Sequence, residues 1–335
     1  MCGAMGPDQS QSVQEAGGGY SFVRVRSNDV DEHAACLSDW DQTYEQLTPG
    51  RFDGLLCEAL FAGIQVFRER TSQAVHESGA GRPDSWMFGV PVALQGDGYF
   101  GGRPVGADSL IILNCRGEMD LRLPGSTDLI GVSMPADRLR EYAFEIDERD
   151  VDAVFRAVSV VSLPHESMRR LRSFLLLAFE SICDHPDRLR HAGARRILEQ
   201  SIFRSISAAL FGHGDDHVMV PGPTRSHALV TRAQEYMRQR VDEPLTIEDL
   251  CRELRVSRRT LQYAFQEVLH LNPVAWLRAM RLNGVRRALR SGHDGTTVQD
   301  VAACWGFWHL SHFASDYRRM FGELPSETLQ RAAGS

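Results

Sequence analysis

The stretch TIEDLCRELRVSRRTLQYAFQEVL, residues 246–269, decides the fold of the C-terminal third of the chain. Thr246 with Asp249 three residues on is a helix-start signal: a hydroxyl that caps a backbone N–H and an acid in the first turn. Ile247, Leu250 and Leu254 follow at helical spacing, and the helix ends near Arg255. Val256-Ser257 forms the turn, and Ser257 can cap a second helix. The inward stripe of that helix is Leu261, Ala264, Phe265 and Val268, leaving Arg258, Arg259, Gln262 and Gln266 outward. An amphipathic helix needs one stripe for its own core, so the opposite stripe can carry donors to base edges in a major groove.

Working outward, the layout returns. Thr297 and Asp300 open a helix with Val298, Val301 and Ala302 inward, Gly306-Phe307 turns, and a helix over 308–320 follows. Between the two units, Asn272 as cap and Pro273 at the first helical position start a helix running to about Ser291. At 1.5 Å per residue it spans roughly 25–30 Å, close to one turn of DNA. These are two helix-turn-helix units joined by a rigid spacer. The aromatic residues Trp305, Phe307, Phe313, Tyr317 and Phe321 read as the core of the second unit rather than a stacking platform for single strands, and Trp305 and Trp308 read as structural.

Charge supports a DNA-facing module. Residues 224–335 hold 16 Arg against 12 Asp and Glu, a net of +4, whereas the whole chain of 335 residues is −7, so residues 1–223 carry −11. The chain contains no Lys. Arg clamps phosphate and reads guanine bidentately, although a GC-rich genome would equally favour Arg over Lys.

Upstream, residues 20–134 are rich in short apolar runs bounded by Gly, Pro and Asp: SFVRV, LLCEALFAGIQVF, WMFGVPVAL, SLIIL, MDLRL and LIGVSM. They predict strands of a small sandwich or barrel, with a helix over 29–45. The period then becomes helical over 135–211, with helices predicted over 165–183 and 193–211. Residues 212–224, GHGDDHVMVPGPT, read as a linker, and residues 1–19 as a disordered tail without the cationic start or apolar run of a secretory signal. No run approaches a membrane span, and seven scattered cysteines without a CxxC pair or zinc-finger spacing suit a reducing cytoplasm.

At its C-terminus the chain resembles the AraC/XylS family of bacterial transcription regulators. Gly306, Phe307, Ser311, Phe313, Arg318, Arg319, Phe321, Gly322 and Pro325 match the family's signature of a GF turn, a Ser, an apolar and basic recognition helix and FG-x-x-P. The strings VSRRTLQYAF, NPVAWLRAMRLNGVRR, TTVQD, WGFWHL and LPSETL resemble ethanolamine-utilisation operon regulators in particular. The resemblance covers residues 226–331 strongly and the rest only through short strings such as DWDQTY, QLTPGRF and MFGVP. The family's pattern implies base contacts from Arg259, Gln262 and Tyr263, with Arg258 and Thr260 nearer the backbone and Gln266 on the same face. In the second unit it implies His309, Leu310, Ser311, His312 and Ser315; Arg318, late on the second recognition helix, is placed to touch phosphate. Ser315 stands where many members have Arg, Asp316 adds an acid beside it, and Thr328 replaces a common Tyr. The second head is thus short of strong donors, and the first is expected to supply most sequence specificity, with a Leu310 contact to a thymine methyl in the second.

The same resemblance implies an α+β chain: a cupin-like N-terminal barrel over 20–134, a helical dimerisation segment over 135–211, and an all-α DNA-binding domain over 225–335. Its partners would be double-stranded promoter DNA, a second copy and RNA polymerase, and its barrel would bind a small effector or serve only as a scaffold. An effector would meet Trp86, Phe88, Tyr99 and Phe100. The competing reading is an enzymatic or ligand-binding barrel with an attached DNA module. Against it, His33 and His76 are the only His residues before residue 165, no H-x-H pair precedes a Glu, and neither a phosphate-binding Gly loop nor a G-x-S-x-G elbow occurs. No cofactor, metal site, catalytic residue or membrane association is expected.

Overall fold

The computed structural model describes residues 11–14, 19–114, 118–147, 159–211, 218–219, 224–240, 243, 245–293 and 295–333. The chain forms two compact units, the first comprising residues 1–44, 53–72 and 77–221, the second residues 45–52, 73–76 and 222–335. Among the described residues no helix is long and apolar enough to cross a membrane.

The first unit is built on strands β1 (Gln11–Gln14), β2 (Tyr20–Ser27), β3 (Asp41–Gln46), β4 (Gly54–Phe61), β5 (Ile64–Thr71), β6 (Val75–Ala80), β7 (Ser85–Leu94), β8 (Gly98–Phe100), β9 (Arg103–Val105), β10 (Ser109–Asn114), β11 (Glu118–Leu123), β12 (Thr127–Pro135), β13 (Val160–Ser162) and β14 (Val218–Met219). Nine lie in one sheet in the order β1-β2-β4-β5-β12-β7-β10-β13-β14, and five in another in the order β3-β6-β11-β8-β9. All six apolar runs of the sequence become strands. LLCEALFAGIQVF is a hairpin whose two turn residues, Ala62 at φ 50 and Gly63 at φ 83, take the left-handed values that match the twist of paired strands.

Alternation sorts the large sheet into two faces. Cys57, Ala59, Phe61, Ile64 and Val66 point to the side covered by α3 (His165–Asp184) and α4 (Ala192–Phe211), whose Met168, Leu171, Leu175, Phe179, Ile202, Phe203 and Ile206 complete that core. Leu175 is 1% exposed, and its truncation to Ala would cost about 2–5 kcal/mol. The opposite face mixes buried apolar residues, among them Leu56, Phe67, Met87 and Leu129, with buried polar ones. Ser27 Oγ lies 2.7 Å from His33 Nδ1, His33 Nε2 lies 2.9 Å from Glu69 Oε1, and the Tyr44 hydroxyl donates to Glu69 at 2.9 Å. Burial and then the neighbouring Glu69 push the Glu77 carboxyl well above the usual carboxylate range. Partnering of this kind is what allows ionisable side chains inside a sheet-lined core.

Several expectations are corrected. The helix over 29–45 shrinks to α1 (Val30–Ala34), capped by Asp29 and ended before Asp39, which takes φ 63; the polar run from Asp41 is strand β3. Its side chains alternate too weakly in polarity to read as a strand, yet Tyr44 is buried by the Glu69 bond. The helical segment 135–211 begins with α2 (Ala136–Asp147) but is interrupted by β13, which pairs with β10. The tail reading falls largely outside the described residues, except that Gln11–Gln14 pairs with β2; the linker reading does so too, except that Val218–Met219 pairs with β13.

The second unit contains α5 (Arg225–Gln239), α6 (Ile247–Leu254), α7 (Arg258–Leu269), α8 (Pro273–Arg290), α9 (Val298–Cys304), α10 (Leu310–Phe321) and α11 (Pro325–Ala333). Helix α8 serves two cores. Trp276, Leu277 and Met280 pack with α5, α6 and α7, while Ala279, Leu282, Val285 and Leu289 pack with α9 and α10. Helix α5, capped by Thr224 through the His227 N–H, was not anticipated, although Val230, Ala233 and Met237 carry its buried stripe at helical spacing.

Candidate nucleic-acid interface

Local chemistry sets both heads. At the first, the Thr246 side chain accepts the Asp249 N–H at 3.2 Å and the Asp249 carboxylate accepts the Thr246 N–H at 3.1 Å, a complete capping box. The Thr246 hydroxyl, then its backbone N–H, hold the Asp249 carboxyl below its usual range. At the second, Thr297 accepts the Asp300 N–H at 3.1 Å. Each first helix ends alike: Arg255 N donates to Arg252 O and Val256 N to Cys251 O, as Gly306 N donates to Ala303 O and Phe307 N to Ala302 O. The left-handed residue is Arg255 (φ 54) in one and Gly306 (φ 79) in the other. This is the Schellman way of closing a helix, which favours Gly and is strained for a side chain.

The recognition helices then fall out of step by one residue. Ser257 caps α7 and His309 caps α10, so the second turn holds one residue more than the first. From the caps onward the helices correspond to their ends, where His270 (φ 51) and Gly322 (φ 74) are both left-handed. Buried Leu261, Phe265, Val268 and Leu269 correspond to buried Phe313, Tyr317, Met320 and Phe321. Outer Arg258, Arg259, Thr260, Gln262, Tyr263 and Gln266 correspond to Leu310, Ser311, His312, Ala314, Ser315 and Arg318.

Arg258, Arg259, Thr260, Gln262, Tyr263 and Gln266 are all exposed on α7, and His309, Leu310, Ser311, His312, Ser315 and Arg318 are all exposed at the start and along the outer face of α10. Arg258 lies 3.4 Å from Glu248 across the turn. Arg259 stacks on Tyr263, 5.4 Å from the ring centre, and donates to its hydroxyl at 3.4 Å. His309 sits at the cap position without a side-chain cap bond, and its ring lies 6.3 Å from that of His312.

Asp316 does not add charge to the outer face. It is buried at the position of Ala264, paired with Arg278 of α8 and with Arg319 at 2.9 Å. Thr328 is buried too. Its hydroxyl donates to Glu323 at 2.7 Å and lies 2.9 Å from the Tyr317 hydroxyl, while Glu323 pairs with Arg286 at 3.0 Å.

Trp305 is structural as expected: it packs on Gly284, where an added Cβ would stand 2.0 Å from its ring. Trp308 is not. It is 76% exposed, in the longer turn beside Leu310 at 40%. The sequence reads it as structural because it stands beside an aromatic cluster; only the one-residue offset between the heads distinguishes it.

The aromatic residues proposed to line an effector site do not converge. Trp86 and Phe88 are buried on β7 in the helix-covered core, whereas Tyr99 and Phe100 lie on β8 of the other sheet. A cavity of about 480 Å³ in this unit is lined instead by Arg138, Tyr142, Arg195, Arg196 and Glu199, and one of about 470 Å³ by Arg82, Asp84, Asp137 and Arg140. Among the described residues no cluster of three His, Cys, Asp or Glu could hold a metal ion.

Comparison with known proteins centres on the second unit. Residues 250–331 match a family described as a helix-turn-helix domain. The chain is 35% identical over 103 residues, 30% of its length, to the probable thc operon regulatory protein of Rhodococcus erythropolis, and spans 31% of that protein. It is 32% identical over 99 residues, 29% of its length, to the XylDLEGF operon transcriptional activator 2 of Pseudomonas putida, spanning 63% of it. A solved probable AraC family transcriptional regulator from Rhodopseudomonas palustris is 42% identical, with a TM-score of 0.30, over 31% of this chain and 97% of that one. Residues 250–331 are thus a helix-turn-helix domain, similar over that stretch to proteins described as an operon transcriptional activator and an AraC family transcriptional regulator.

Proposed function

We propose that the chain is a sequence-specific regulator of bacterial promoters in which α7 reads bases and α10 mainly docks. The observation that carries this reading is the exposed stripe of α7: Arg259, Gln262 and Tyr263 face outward while Leu261, Phe265 and Val268 of the same helix are buried. Donors on a rigid helix can enter a major groove without loss of its core. Arg318 and the other cations would neutralise phosphates.

The first unit is read as a cupin-like scaffold for a homodimer in the cytoplasm. Exposed Phe144, Leu177 and Ile197 on α2, α3 and α4 support a second copy packing there. The Arg-lined 480 Å³ cavity supports an anionic effector better than the aromatic residues do. Contact with RNA polymerase and kinship with ethanolamine-utilisation regulators belong to the same reading.

Mobility shift of the full chain and of residues 222–335 on duplex DNA tests this reading. Both should bind and both should weaken as salt rises; a folded fragment and a folded full chain that bind no duplex from a randomised pool would refute it. Light scattering should give a dimer mass that falls to a monomer mass without residues 1–221.

A further inference from the structure

Cys57 and Cys183 lie 126 positions apart in sequence, and no motif connects them. The fold brings them together. Cys57 is on β4, on the face covered by helices, and is 7% exposed; Cys183 is in the last turn of α3, half-buried on the same core. Cys183 packs against the core that contains Cys57, the two thiols are close enough to act on each other, and both are free.

Charged groups flank Cys57: Arg24, Arg68 and Arg70, with Asp128 paired to the last two. In the sheet register Arg24 of β2 and Arg68 of β5 stand directly across from it, on the same face. Arg68 is fixed there by Asp128 at 2.7 Å. The Cys183 S–H first, and Arg24, Arg70 and Arg68 after it, lower the Cys57 thiol against the opposing pull of burial, while the same bond raises Cys183. With two guanidiniums directly across from it in the sheet, Cys57 is the sulfur placed to act as the nucleophile, and Cys183 is its neighbour.

We propose that Cys57 and Cys183 are a redox modification site, oxidised by hydrogen peroxide to an intramolecular disulfide. The Cys57 thiolate attacks one peroxide oxygen; the S–O bond forms, the O–O bond breaks, and the departing hydroxide takes a proton to become water. Cys57 is then a sulfenic acid. The Cys183 thiol gives up its proton and attacks the Cys57 sulfur; the S–S bond forms, the S–O bond breaks, and the hydroxide leaves as a second water with that proton. Two thiols lose two electrons and the peroxide is reduced to two waters. The bond would tie β4 to the end of α3.

The test exposes the full-length protein to hydrogen peroxide, alkylates remaining thiols and maps peptides by mass spectrometry. The expected product is a Cys57–Cys183 linked peptide that dithiothreitol reverses, with Cys36, Cys251 and Cys304 still alkylated. In Cys183→Ser, dimedone should trap Cys57 as its sulfenic acid; in Cys57→Ser, no trapping should occur at Cys183. Cys57 should also react with iodoacetamide faster than Cys36 at mildly acidic pH. Recovery of Cys57 and Cys183 as free thiols while other cysteines oxidise, or linkage of either to a different cysteine, would overturn the proposal. Since the mapping uses the wild-type chain, it decides the matter even if a serine variant fails to fold.

Discussion

Thr246 and Thr297 cap corresponding helices, Arg255 and Gly306 make corresponding left-handed turns, and His270 and Gly322 end corresponding recognition helices. Between those fixed points the outer faces share almost nothing: Arg259, Gln262 and Tyr263 in one head stand against Ser311, Ala314 and Ser315 in the other. The frame of a helix-turn-helix is specified by its caps, its turn and its buried stripe. The outer stripe contributes little to folding, so it can diverge toward base reading in one head and plain docking in the other. The second head goes further and changes its turn, gaining a residue and displaying Trp308.

The strongest way to break the comparison is to remove one head alone. In Gly284→Ala the new methyl would meet the Trp305 ring at 2.0 Å, so denaturant unfolding should show a loss of about 1–3 kcal/mol, at the upper end of that range. Hydrogen exchange should locate the damage in α9 and α10 and spare α6 and α7; protection lost equally in both heads would mean that α8 does not insulate them.

A smaller effect concerns the caps. Thr246→Ala and Thr297→Ala each remove a hydroxyl that accepts an N–H of the first turn and donates to the carboxylate of that same residue, and each should cost about 0.5–2 kcal/mol by thermal or urea unfolding. The Asp249 carboxyl, lowered in the folded state, contributes above its unfolded titration range, and that contribution is lost as pH falls from about 5 toward 2. Asp249→Asn should flatten this acid-side decline.

Trp308→Ala is the smallest change to the fold and sharpens the comparison most. Stability should move by less than about 0.5 kcal/mol, since the ring is exposed. Affinity for the preferred duplex should nonetheless drop by about 1 kcal/mol, the scale of removing apolar contact area. Unchanged DNA binding would remove Trp308 from the DNA-facing surface.

The legibility of this chain in its sequence follows the same division. Capping residues and 3.6-residue stripes are local signals, so Thr246, Ser257, Asn272 and Thr297 were readable as the helix starts they are. Strands with apolar runs were readable as well. Strand β3 was not, because its buried residues are polar and are stabilised by partners far along the chain, as Tyr44 is by Glu69. Asp316 looked like an exposed acid for the same reason: its partner Arg278 lies 38 positions away. Trp308 was misread because exposure depends on turn length, which a motif match absorbs silently.

The most direct test of unequal heads measures full-length Arg259→Ala and Arg318→Ala on the preferred duplex and on its single-base variants at several salt concentrations. Arg259→Ala should lose about 1–3 kcal/mol on the preferred site and relax the preference at one base pair. Arg318→Ala should weaken all sequences alike and lower the salt slope by about one. An even loss across variants for Arg259→Ala, together with a changed base preference for Arg318→Ala, would contradict the assignment of reading to α7 and docking to α10.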